Sequence, residues 1–250
     1  MPITILDVKS ISQNSLSTSV GFTTNPANGD LIVVFVSSDN LAGATINLPT
    51  DSKGNTYTRL GTTQIGSTGS GLGMFYCANI VGGAGFSVTS HLSAVRFHAL
   101  VAWAITGVGP APYNGDWISE AGLATNAGSG PSGVAPPGQS IFLGGTEIDG
   151  SAVPTDGVGW STEGVNGFTA AMHTQARRAD FSTNYDVFSE YKISSSVERA
   201  SWTLTGTAWT AMSASFAAPG SAGGGGGSAG VGSGGFSATI SLGPTWSLQP

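Results

Sequence analysis

Through residues 3–24 apolar and polar positions alternate: Ile3, Ile5 and Val8, then Leu16, Val20 and Phe22, are separated by Ser, Thr, Asn and Gln. A period of two places one side of a strand in a core and the other in water. Leu31–Val36 abandons the alternation for a continuous β-branched and aromatic run. Such a run predicts a central strand buried on both faces or lying between two sheets. Further strands are predicted at Met74–Ile80, Phe86–Thr89 and Val95–Ile105. A second series follows at Trp117–Thr125, Ser140–Ile148, Gly159–Glu163, Thr169–Gln175, Asp186–Ile193, Ala200–Leu204 and Ala208–Phe216. Within Val95–Ile105, Arg96, His98 and Leu100 fall on one face, and Val95, Phe97, Ala99 and Val101 on the other. A helix would tolerate Ala99–Ala104, but the neighbours are β-branched or aromatic and helix caps are missing. Gly54 and Asn55, the pair able to accept positive φ, predict a tight hairpin before a strand carrying Tyr57.

The two series look like copies of one unit. Met74, Phe75 and Ile80 can be laid on Val187, Phe188 and Ile193, and Ala99, Leu100 and Ala102 on Ala211, Met212 and Ala214, after a one-residue slip. Upstream, the run from Gly29 to Val36 matches the run from Gly138 to Gly145, each behind a proline-containing turn. A repeat of about 110 residues implies two sandwich-sized units. The prolines of Gly107–Tyr113 (GVGPAPY) cannot continue a ladder and mark the boundary. The expected fold is therefore all-β: two tandem β-sandwich or jelly-roll-like units over residues 1–108 and 112–218, either as separate sandwiches or fused into one jelly roll.

Residues 219–235 differ from both units. The segment is mostly Gly, Ser and Ala, with no side chains to bury, and reads as a tether of roughly 20–25 Å reach or a polyglycine packing surface. Residues 236–250 follow with one alternating strand, from Phe236 through Ile240 and Leu242, and then Trp246. One strand alone is unstable in water. It is expected to join an edge of its own sheets, to serve as an assembly arm on a neighbouring molecule, or to fray.

Composition narrows the function classes. Charged residues make up 9% of the 250, against about 25% in an ordinary domain, so the surface is hydroxyl and backbone rather than ionic. The net charge of -6 provides no basic footprint for nucleic acid. No apolar run reaches the ~20 residues that cross a bilayer as a helix, and the N-terminus has neither the basic nor the hydrophobic region of a signal peptide. The expected location is the cytoplasm of the producing cell, or outside it by a route other than general secretion, with no membrane partner. A single cysteine, Cys77, excludes an intrachain disulfide and reads as a small buried hydrophobe.

Catalytic chemistry finds little to work with. Glu147 and Asp149 share one face of a strand, the spacing that some β-sandwich glycoside hydrolases extend with a third carboxylate, but Gly150 and Ser151 follow instead. A solvated strand end is the expected reading. His91, His98 and His173 have no ligand spacing for zinc. The loops Asp51–Asn55 and Asp180–Asp186 carry too few oxygen ligands for a calcium site. No cofactor, metal or catalytic residue is predicted. Tyr113, Trp117 and Trp160 are candidates for a sugar-stacking platform, alongside Trp202 and Trp209, and core packing is the competing assignment for each.

The segment Gly29–Val36, the turn Asp51-Ser-Lys-Gly-Asn-Thr-Tyr-Thr58, and Met74-Phe-Tyr-Cys-Ala-Asn-Ile-Val-Gly-Gly83 with Phe86–Thr89 resemble a group of tandem β-sandwich modules. Such modules occur in phage virion proteins and in large bacterial surface proteins. The resemblance covers residues 4–107 well and 112–218 faintly, where Gly157-Val-Gly-Trp160 replaces the Asn-Thr-Tyr turn. It implies a structural or adhesive role and transfers no catalytic residue. The expected function is that of a phage virion component, a capsid decoration, head-fibre or tail-fibre protein that assembles in the host cytoplasm with other virion proteins and with copies of itself. An adhesin module that binds cell-surface glycan is the alternative, and a β-sandwich glycoside hydrolase the third reading.

Overall fold

A computed structural model describes residues 1–66, 69–128, 138–150, 169–177, 184–195 and 201–220. The described residues are all-β, with eleven antiparallel strands and no helix. They are β1 (Thr4–Gly21), β2 (Leu31–Ser38), β3 (Thr50–Asp51), β4 (Thr58–Ile65), β5 (Gly71–Cys77), β6 (Ser87–Thr106), β7 (Tyr113–Gly128), β8 (Ser140–Gly150), β9 (Thr169–Arg177), β10 (Asn184–Ser194) and β11 (Ser201–Ala217). The predicted strand at Gly159–Glu163 lies outside the described residues.

Several predicted pairs of short strands are single long ones. Residues 3–24 form mainly β1, and Phe86–Thr89 and Val95–Ile105 merge into β6. A bulge between Ser15 and Ser17 lets the β1–β6 ladder continue past its irregularity, and such bulges bend a strand without ending it. Beyond the bulge, β6 leaves β2 and pairs with β3 at Val88 and Thr89. The Asp51–Asn55 turn thus connects β3, paired to β6, with β4, paired to β5. It is a tight turn with Gly54 at φ 77°, as expected, but it closes no hairpin.

The strands form two sheets. One has the order β1-β6-β2-β5-β4, with β3 on the overhanging part of β6, and the other the order β7-β11-β8-β10-β9. Leaving β3 aside, both follow one scheme: first, fifth, second, fourth and third strand of the repeat. The two sheets thus share one topology. β6 ends at Thr106 and β7 begins at Tyr113, so residues 107–112 connect the two sheets.

The two sheets share a core. Leu31, Val33, Phe35, Met74, Val101 and Trp103 of the first sheet cluster with Ile141, Leu143, Val187, Met212, Ala214 and Phe216 of the second. Fully burying each of the Val, Leu, Ile, Phe and Met side chains among them contributes about 1.5–3 kcal/mol. β1 lies against β9 and β4 against β7, so strand order runs in opposite senses in the two layers, as an approximate twofold axis between them requires. The other face of the first sheet is apolar as well. Ile32, Val34, Leu100 and Ala102 are covered by Val20, Phe22, Tyr57, Phe86 and Val88, the last two from the β6 overhang and the loop before it. This double coverage explains why every residue of β2 is buried.

The ladders correct the sequence match between the repeats. Val33 is opposite Tyr76 and Trp103, and Leu143 is opposite Tyr191 and Ala214. Matching these rungs sets Val33 on Leu143, Tyr76 on Tyr191 and Trp103 on Ala214. The sequence match had placed Ala102, not Trp103, on Ala214, and Ile32, not Leu31, on Ile141. A slip of one residue exchanges the faces of a strand, and alanine occurs in both rows of β6, so residue identity hid the error.

Candidate functional site

The residues with catalytic potential are largely tied into the fold. Asp51 Oδ1 accepts the backbone N–H of Lys53 and of Asn55 at 2.9 and 3.1 Å, and Oδ2 accepts Asn55 Nδ2 at 2.9 Å and the Tyr57 hydroxyl at 3.1 Å. Asn55 also binds both the N–H and the C=O of Val81, and Lys53 Nζ donates to Ala84 O at 2.9 Å. The motif Asp51-x-x-Gly-Asn-Thr-Tyr57 is therefore a hydrogen-bonded knot joining two loops. Burial, reinforced by Asp51, holds the Tyr57 phenol far above its ordinary range.

Glu147 is not the solvated strand end expected. It is fully buried and points between the sheets, where Ser70 Oγ and Thr210 Oγ1 donate to its Oε2 at 3.0 and 3.1 Å. A carboxylate in this position joins the end of β5 to the second sheet. A second buried glutamate, Glu190, escaped the sequence reading and lies on β10 opposite Gly144.

The histidines are separate. His91 bridges two hydroxyls, Ser17 Oγ at Nδ1 and Thr50 Oγ1 at Nε2, both at 2.8 Å. His98 is buried with Nε2 3.1 Å from Ser90 Oγ. His173 lies on β9. Among the described residues no three His, Cys, Asp or Glu side chains group as metal ligands. Cys77 is free and buried; burial, with a smaller effect of Asp51, pushes its thiol up to about 11.

The platform candidates part company. Trp117 is half-buried and its indole lies over Gly61, in the space a Cβ would occupy. Gly61 has φ 61°, so it serves the backbone and the contact together. Trp209 is buried, and Trp160 lies outside the described residues. Tyr113 is half-buried at the start of β7, its ring centroid 5.4 Å from Tyr76 and 6.1 Å from Phe216. Tyr76 and Phe216 are 5.5 Å apart, completing an aromatic triangle across the sheets. Tyr76 was missed as a site residue because its partner is reached only through the second sheet. The arm residues Phe236, Ile240, Leu242 and Trp246 lie outside the described residues.

Tyr76 and Tyr113 line a groove of about 300 Å³. Thr56 and Thr58 also line it, with Ala78 and, from the connection between the sheets, Pro110, Ala111 and Pro112. Compared with known protein families, curated proteins and solved structures, the chain matches none.

Proposed function

We propose that the protein works by assembly rather than catalysis, as a structural component of a phage virion: a capsid decoration, head-fibre or tail-fibre protein. In this reading two sandwich-like modules fused through one shared core form the body, residues 219–235 a tether, and residues 236–250 the strand that joins a neighbouring molecule. Its partners are other virion proteins and copies of itself, and its place is the particle assembled in the host cytoplasm.

The observation that carries this reading is where the acidic residues go. Asp51 is consumed by its turn and Glu147 is sealed between the sheets, so neither is offered to a substrate. A strand on a leash gains its hydrogen bonds only at another sheet edge. Virus-like particles from cells that make the chain, banded by density and digested for mass spectrometry, test the proposal. Peptides of this chain at a fixed ratio to the major shell protein support it, and a chain found only in the soluble fraction contradicts it.

A further inference from the structure

The Tyr76–Tyr113 groove has the chemistry of a ligand site. Thr58 is directly opposite Tyr76 in the β4–β5 ladder, so both stand on the face that looks toward the second sheet. Tyr113 comes from β7 and meets Tyr76 at an interplanar angle of 38°. Phe216 packs against both rings, which fixes them before any ligand arrives and lowers the ordering cost of binding.

None of the residues lining the groove is charged. Thr56 and Thr58 are exposed hydroxyls, while the prolines and the tyrosine rings supply apolar surface. Burial holds the Tyr76 phenol above its ordinary range, against a smaller opposing effect of Thr58, so it stays a neutral donor. This alternation of hydroxyl and apolar surface matches a pyranose ring, which presents C–H groups on its faces and hydroxyls around its edge. An anionic ligand would find no cation here. A polyproline peptide would set its apolar rings against the two threonine hydroxyls.

We propose that the groove between Tyr76 and Tyr113 binds a neutral glycan. Its volume is at the lower end of ligand pockets, about 300–1,000 Å³, so it holds a short stretch of chain. The site stands independently of the assembly reading, since the groove would bind sugar whether or not the protein joins a particle.

Saturation-transfer NMR and calorimetry with maltotetraose, cellotetraose and chitotetraose test it on the full chain. At least one of these sugars binds in the millimolar range or tighter, and the double variant Thr56→Ala/Thr58→Ala and the single variant Tyr113→Ala each weaken it by about tenfold or more. The threonine variant removes two exposed hydroxyls, that of Thr58 being a hydrogen-bond partner of Tyr76, and with its unfolding transition measured beside the wild type it remains informative if Tyr113→Ala destabilises the protein. Binding of none of the three sugars, unchanged affinity in the threonine variant, or binding of a decaproline peptide in place of the sugars overturns the proposal.

Discussion

Phe35 of the first sheet rests on Gly145 of the second, and the two residues occupy equivalent rungs of their repeats. The Phe35 ring fills the space where a Cβ on Gly145 would stand, and Phe35 is fully buried. A residue that touches its own counterpart lies on the axis relating the halves, as in a symmetric dimer. Two phenylalanines could not share that point. The repeats have diverged there into a large and a small partner, a complementarity open only to halves encoded in one chain.

Gly145→Ala therefore destabilises the protein although its backbone needs no glycine. The added methyl group meets an immobile ring, and overpacking of this kind costs about 1–3 kcal/mol. Urea denaturation should show Phe35→Leu/Gly145→Ala losing less than the sum of the single variants. Strict additivity would mean that the two positions are not in contact.

Trp103 provides a second fastening. Its Nε1 donates to Ser189 Oγ across the sheets at 2.8 Å, Ser189 Oγ donates in turn to Gly144 O at 3.1 Å, and Tyr191 packs edge-on against the indole at 5.7 Å. Ser189→Ala leaves a buried indole N–H without its acceptor, at a cost of about 1–3 kcal/mol. A lower urea midpoint with an unchanged m-value is the expected result, and an unchanged midpoint would contradict the contact.

Among the described residues, His98 and Asp7 make stability fall with acid. Burial, the largest effect on His98, pushes its imidazole below the ordinary range, against weaker opposing pulls from the carbonyls of Arg96 and Ser15. The unfolded chain then takes up the proton first, so stability is lost as pH falls from about 6.5 through the folded value. For Asp7, burial opposes ionisation, but the amides of Thr24 and Thr23 and the Lys9 ammonium outweigh it and hold the carboxyl below its ordinary value. Its contribution is complete above about pH 4 and disappears as pH falls through the folded value. In urea midpoints measured against pH, His98→Gln removes the upper step and Asp7→Asn reduces the lower one. A profile flat from pH 7 to 4 would contradict the assignment to His98.

Cys77 is protected both by burial and by a thiol pushed up to about 11, and only a thiolate attacks. Iodoacetamide at pH 8 should leave the folded protein unmodified and label it fully in denaturing urea. Labelling of the native protein at the rate of a free thiol would contradict the placement.

What the sequence disclosed depended on how local the signal was. Leu31–Val36 is a continuous apolar run, which signals a central strand buried on both faces or lying between sheets, and every residue of it is buried. Alternation identifies two rows but does not say which row faces inward. Glu147 was therefore assigned to solvent, and Ala102 was matched to Ala214 in place of Trp103. Nor does alternation say whether an inward row meets its own repeat or the other, and for that reason the sequence leaves open separate sandwiches or one fused body. Tyr113 was found as an isolated aromatic. Its groove was not, because Tyr76 and Thr58 reach it only after both sheets have folded and closed on each other.

Sedimentation velocity of the full chain beside a chain ending at residue 235 tests most directly whether the protein works by gripping its neighbours. The full chain should form a discrete oligomer, and the shortened chain should sediment as a folded monomer with an unchanged unfolding transition. Identical sedimentation of the two, as monomers or as oligomers, would contradict an arm at Phe236–Trp246 and the assembly function built on it.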